Sequence, residues 1–124
     1  MLLPEEIEAK SVIPSLRAMV AKRLTKKYEL TQQEAAKLLG LTQAAISNYI
    51  RGSRGAIHDL EKIEEIRKKA DEISAMLVNK ADIIQILSKF HEACLLIRKQ
   101  RLLCEVHKKL EPNYDVNNCH ICEC

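Results

Sequence analysis

A chain of 124 residues, 47% hydrophobic and 30% charged, has enough apolar material for one compact domain, or a small domain with an appended element, and is not a disordered polymer. Three glycines, three prolines, 3% aromatics and no Trp argue for long helices, few tight turns and a core of Leu, Ile, Val and Ala. The net charge of +3 is uneven: residues 1–55 hold nine Lys/Arg against five Asp/Glu and residues 56–124 eleven against twelve, so a polyanionic partner is to be sought in the first half.

The start, MLLPEEIEAK, is acidic and has no long apolar run, unlike a signal peptide, and no stretch approaches the roughly 20 apolar residues of a membrane span. The expectation is a cytoplasmic protein whose thiols stay reduced. Pro4 with Glu5 and Glu6 predicts a helix start, with Pro near the first helical position and acids in the first turn. Ile7, Val12, Leu16, Met19, Val20 and Leu24 recur at helical spacing, and Pro14 predicts a break or kink near residues 11–13.

The stretch LTQQEAAKLLGLTQAAISNYIRG, residues 30–52, is the most informative in the chain. Thr31 and Glu34 form a capping box, Ala35, Leu38 and Leu39 a short apolar face, and Gly40 stands where a left-handed helix end favours glycine. Thr42 then caps a second helix over 43–50, which Gly52 ends. Two short helices joined by a Gly-containing turn make a helix-turn-helix.

Beyond RGSRG, read as a loop, Ile63, Ile66, Ala70, Ile73 and Leu77 step by threes and fours, predicting an amphipathic helix within 57–78. NKAD at 79–82 predicts a break with Asp82 as a cap. Ile83, Leu87, Phe90, Cys94 and Ile97 mark a long helix that continues through Leu102 and Leu103 to about Leu110. Pro112 stops it, and EPNYDVNN leads into the tail CHICEC. The fold expected is all-α: a helix-turn-helix bundle over 1–55, then a helical region over 56–124 with a Cys-rich tail.

The run TQQEAAKLLGLTQAAISNYIRG resembles the helix-turn-helix of the Cro/lambda-repressor-like (XRE-type) regulators, whose pattern is T-Q-x-x-A-x-x-L-G-[LIV]-[ST]-Q-x-x-[IV]-S-x-[YW]-x-x-G. The longer stretch 2–55 is similar to a group of archaeal predicted regulators; related heads occur fused to thiamine-phosphate-synthase-like domains, which 124 residues cannot contain. An α-helix fits the major groove of DNA and reads base edges with side chains near its N-terminus. In 43–50 the outward positions are Gln43, Ala44, Ser47 and Asn48, with Ile46 and Ile50 inward and Ala45 and Tyr49 flanking. Gln and Asn make paired hydrogen bonds to adenine, Ala44 touches a thymine methyl and Ser47 donates to base or phosphate. Thr42, the cap of this helix, belongs to the same DNA-facing set. The resemblance implies that Gln32 meets a phosphate and that Arg51 and Arg54 clamp the backbone, with Lys22, Arg23, Lys26 and Lys27 extending the positive face. It also implies a homodimer on double-stranded DNA, with half-sites about one helical turn apart. The helices over 57–78 and 82–110 are the candidates for its interface.

The second half holds three pairs at x2 spacing: His91 and Cys94, Cys104 and His107, Cys119 and Cys122. Residues three apart on a helix share a face and can hold one ion, and a C-x2-C loop does the same. Cys104, His107, Cys119 and Cys122 are the candidate tetrahedral zinc ligands, pinning the tail to a helix. The alternative is an iron–sulfur cluster on Cys94, Cys104, Cys119 and Cys122 or Cys124, making a metal or redox sensor. His91 stands where related regulators carry a cysteine. A disulfide in the tail is disfavoured by cytosolic reduction.

Taken together the sequence predicts a non-enzymatic, DNA-binding transcriptional regulator with a zinc or iron–sulfur site. The rivals are an antitoxin-like or adaptor protein that also binds DNA, and a thiol–disulfide oxidoreductase using Cys119 and Cys122. The last would need a thioredoxin-like βαβ pattern, which the sequence lacks.

Overall fold

The computed structural model describes residues 1–52 and 60–123. Among them lie seven α-helices and no strand: α1 (Pro4–Lys10), α2 (Val12–Lys26), α3 (Gln32–Leu39), α4 (Gln43–Ile50), α5 (Glu64–Val78), α6 (Ile83–Lys99) and α7 (Leu102–Leu110). Short 3-10 turns lie at Leu60–Lys62, Val116–Asn118 and Ile121–Glu123.

The break that Pro14 predicts falls at Ser11. A straight helix through Pro14 would press its ring on the Lys10 carbonyl, whereas in the first turn of α2 its missing N–H costs no helical bond. Ser11 takes up the break at φ −131°, and its buried hydroxyl donates to the Ile7 carbonyl at 2.5 Å.

α2 is the hub. It packs against α1, α3, α4, α5 and α6, and Val12, Leu16, Met19, Val20, Ala21 and Leu24 are all buried. The heptad-like stripe of α5 meets it: Ile66, Ala70, Ile73 and Leu77 are buried between α2 and α6. That stripe is therefore satisfied inside the chain. The helix expected within 57–78 begins at Glu64 after the turn at Leu60–Lys62, and its first expected positions, with the rest of 53–59, lie outside the described residues.

Two expectations for the second half need correction. Asp82 stands at the N-cap of α6 but its side chain caps nothing; the turn is made by Lys80 at φ 54°. The long helix from Ile83 to Leu110 is in fact two. Arg101 adopts φ 60°, a left-handed step costing roughly 1–2 kcal/mol for a side-chain-bearing residue. Its guanidinium offsets that cost by donating to the Val116 carbonyl at 2.5 Å and meeting His120 Nδ1 at 3.1 Å. The reversal folds α7 back on α6 and against α1. There Glu111 accepts the Leu2 N–H at 2.9 Å, and Arg98 of α6 forks onto Glu8 of α1 at 2.7 and 3.1 Å. Both ends of the chain are thus tied into one cluster of apolar side chains. No described helix is long and apolar enough to cross a membrane.

Candidate nucleic-acid interface

The turn between α3 and α4 is built by short-range hydrogen bonds that the sequence spells out. Thr31 Oγ1 accepts the Glu34 N–H at 3.1 Å, and the Glu34 carboxylate accepts the Thr31 N–H at 3.0 Å. That backbone bond to the carboxylate, aided by the Thr31 side chain beside the same carboxylate, holds Glu34 below the ordinary carboxylate range. Gly40 is left-handed at φ 66°, and the next N–H, of Leu41, closes on the Ala36 carbonyl at 2.9 Å. Thr42 Oγ1 then accepts the Ala45 N–H at 3.1 Å and starts α4.

α4 is anchored along one side. Ile46 is fully buried, Ala45, Tyr49 and Ile50 are half-buried, and α4 packs on α2 and α3. The opposite side faces solvent: Gln43, Ala44 and Asn48 are exposed, with Ser47 half-buried beside them. Thr42 is exposed at the helix start, Gln32 is half-buried at the start of α3, and Arg51 is exposed just past the end of α4. Arg54 lies outside the described residues.

Two features of this face are not legible in the sequence. Arg51 donates from Nη2 to Asn48 Oδ1 at 3.1 Å, which turns the Asn48 amide so that its NH2 group points away as a donor. A paired contact to adenine, which needs both ends of the amide, therefore requires Arg51 to share or release that oxygen. The second feature is Arg23, expected to extend the positive face. It is instead neutralised, donating to Glu61 at 2.8 and 2.9 Å and to Asp71 at 2.6 Å. The bond to Glu61 leads in holding the Arg23 guanidinium above its already high range, and the same bond lowers Glu61. These partners are 38 and 48 residues away, so no local pattern announces them. Lys26 and Lys27 remain exposed, and Lys22 is half-buried.

The Cys/His positions meet in part. Cys104 and His107 are buried on one face of α7, and Cys122 is buried where the turn Ile121–Glu123 packs on α6. Burial pushes the Cys122 thiol up, and Cys104 and Cys119 act on it electrostatically from nearby. The His107 ring stacks on Tyr114 at 4.2 Å and bonds Glu111 through Nε2 at 2.9 Å. Cys119 accepts the Tyr114 hydroxyl at 3.0 Å. Cys94 lies half-buried on α6, its thiol pushed up to about 11 by burial, and His91 is exposed one turn before it. Cys124 is outside the described residues. Among the described residues no group of three or more His, Cys, Asp or Glu is set to hold a metal ion, so the expected tetrad is not assembled as a ligand set.

Residues 20–69 match the model of a family described as Helix-turn-helix. No curated protein and no solved structure matches the chain.

Proposed function

We propose that this chain, whose residues 20–69 match a helix-turn-helix family, is a cytoplasmic, homodimeric transcription regulator of the Cro/C1-like, XRE type that reads a specific duplex sequence through α4. The observation that carries the reading is the division of α4: Ile46 is wholly buried while Gln43, Ala44 and Asn48 on the other side stand in solvent. A helix fixed on its inner side and polar on its outer one can enter the major groove without unfolding. Gln43 and Asn48 then address base edges and Ala44 a thymine methyl, while Ser47, Gln32, Thr42, Arg51 and Arg54 hold the flanking phosphates. The family is a DNA-binding regulatory one rather than a catalytic one. Selection of duplexes from a random pool by the purified protein tests this reading. Enrichment of one two-half-site sequence is expected; a pool that stays random after several rounds, with binding that salt abolishes uniformly, refutes it.

A second reading concerns the tail. The buried Cys104 and Cys122 thiols, with Cys119 close enough to act on Cys122, have the donor chemistry of a thiophilic metal such as zinc. Glu111, 2.9 Å from His107 Nε2, stands where an outer carboxylate orients an imidazole whose other nitrogen, Nδ1, would meet a metal. Closing such a set requires Cys119 to leave the Tyr114 hydroxyl. Zinc on Cys104, His107, Cys119 and Cys122 would pin the tail to α7; an iron–sulfur cluster would draw instead on Cys94, Cys104, Cys119 and Cys122 or Cys124. Elemental analysis and a visible spectrum of anaerobically purified protein separate these. Stoichiometric colourless zinc supports the first and visible absorbance the second; protein free of both metals refutes the reading.

A further inference from the structure

We infer that the outward face of α6 seats a second copy of this chain, the two α6 helices crossing antiparallel about a two-fold axis at Leu87. The inference rests on the dimeric reading above and supplies the surface that reading lacks. In a molecule whose large aliphatic side chains are mostly inside, Ile83, Ile84 and Leu87 are 59%, 72% and 58% exposed. At 3.6 residues per turn these three share one stripe with Phe90, His91 and Cys94, and the stripe contains no Asp, Glu, Lys or Arg. In a chain that is 30% charged, such a face is not ordinary solvated surface.

The stripe has two different halves. Its first half is a ridge, Ile83 and Ile84. Its second half borders a mostly aliphatic hollow of about 240 Å³, lined by Ile13, Leu16 and Arg17 of α2, Leu39 of α3, and Leu87, Phe90, His91 and Cys94 of α6. Ile84 and Phe90 stand three residues on either side of Leu87. A two-fold axis at Leu87 therefore lays the ridge of each copy over the hollow of the other, twice over. This is the self-complementarity that an isologous contact demands and that an unrelated partner does not. A second groove, of about 610 Å³, flanks the ridge between α3 and the α5–α6 corner, with Glu34, Lys37 and Lys80 among its lining and Ile83 on its edge. The stripe from Ile83 to Cys94 is about 17 Å long at the helical rise. Three aliphatic side chains more than half exposed along that length are apolar surface that a contact between copies removes from water. None of Gln43, Ala44, Ser47 or Asn48 lines either hollow, so pairing through α6 leaves the reading helices open.

The test is the mass in solution, with DNA binding as a separate measurement. By sedimentation the native chain is expected to be a dimer and Leu87→Arg a monomer with an unchanged helical circular-dichroism spectrum. Ile84→Asp, at a position more exposed than Leu87, provides the same test should Leu87→Arg fail to fold. Leu87→Cys is expected to cross-link to itself under mild oxidation above the level of the native chain, and Glu65→Cys, exposed on α5, is not. Leu87→Arg should lose roughly 100-fold or more of its affinity for a two-half-site duplex, the avidity of linked sites, and none for a single half-site. A folded Leu87→Arg or Ile84→Asp variant that keeps the native mass, or a native chain that is monomeric while bound to DNA, overturns the inference and gives this face to another occupant. Failure of the native chain to bind any half-site would instead strike the DNA-reading proposal and leave the interface standing.

Discussion

Replacing Asn48 and Arg51 one at a time separates reading from holding. Both side chains are exposed, and the bond between them at 3.1 Å lies at the surface. Neither substitution by Ala touches the core, so each should change stability by no more than about 0.5 kcal/mol. Their effects on DNA should differ in kind. A side chain paired with one base edge is worth about 1–3 kcal/mol of discrimination, which is about 5- to 150-fold in Kd at 1.4 kcal/mol per decade. Asn48→Ala should therefore relax preference at one base pair in each half-site and leave the others as selective as before. Arg51→Ala should weaken all duplexes alike and reduce the slope of log K against log salt by about 0.9 per chain, the signature of one lost phosphate contact. Fluorescence anisotropy on the selected duplex and its single-base variants, over about 50–200 mM salt, reads both quantities. If Asn48→Ala weakens every duplex equally, or Arg51→Ala shifts base preference with the salt slope intact, the assignment of the α4 face is wrong.

Ile46→Ala empties a fully buried site at the α2–α4 contact and should cost about 2–5 kcal/mol in urea unfolding, with DNA affinity recovering in the fraction that remains folded. Gly40→Ala meets nothing within 4 Å of the added carbon, so its cost is the left-handed backbone alone, about 1–2 kcal/mol by the same measurement. Glu61 has its pKa lowered by its hydrogen bond to Arg23, so its contribution to stability is complete above the ordinary value of 4.5 and is lost as pH falls through the lower folded value. An acid titration of the unfolding midpoint should show this loss in the native chain and a shallower one in Glu61→Gln.

What could be foretold from the sequence was what the chain encodes over a few residues. The capping box of Thr31 and Glu34, the left-handed Gly40 and the Thr42 cap each act across four residues or fewer, and each stands where its residue type requires. The α5 stripe was equally plain, because periodicity names the buried face, but periodicity does not say against what that face is buried. It turned out to be the chain's own α2 and α6. The break at Arg101 escaped because nothing local demands it: the residues around it are good helix formers, and the left-handed step is held by partners 15 and 19 residues on. Arg23 escaped for the same reason, counted as a DNA-facing cation when two carboxylates far along the chain had already claimed it. The candidate site divides along this line. Its scaffold, from Thr31 to Ile50, is written in short-range hydrogen bonds, whereas its electrostatics, Arg23 bound to Glu61 and Asp71, depend on a fold that brings α5 against α2. A charge count over residues 1–55 therefore overstates the positive charge that α2 offers beside α4, and on the proposed reading the weight shifts from the cations of α2 to Gln43 and Asn48.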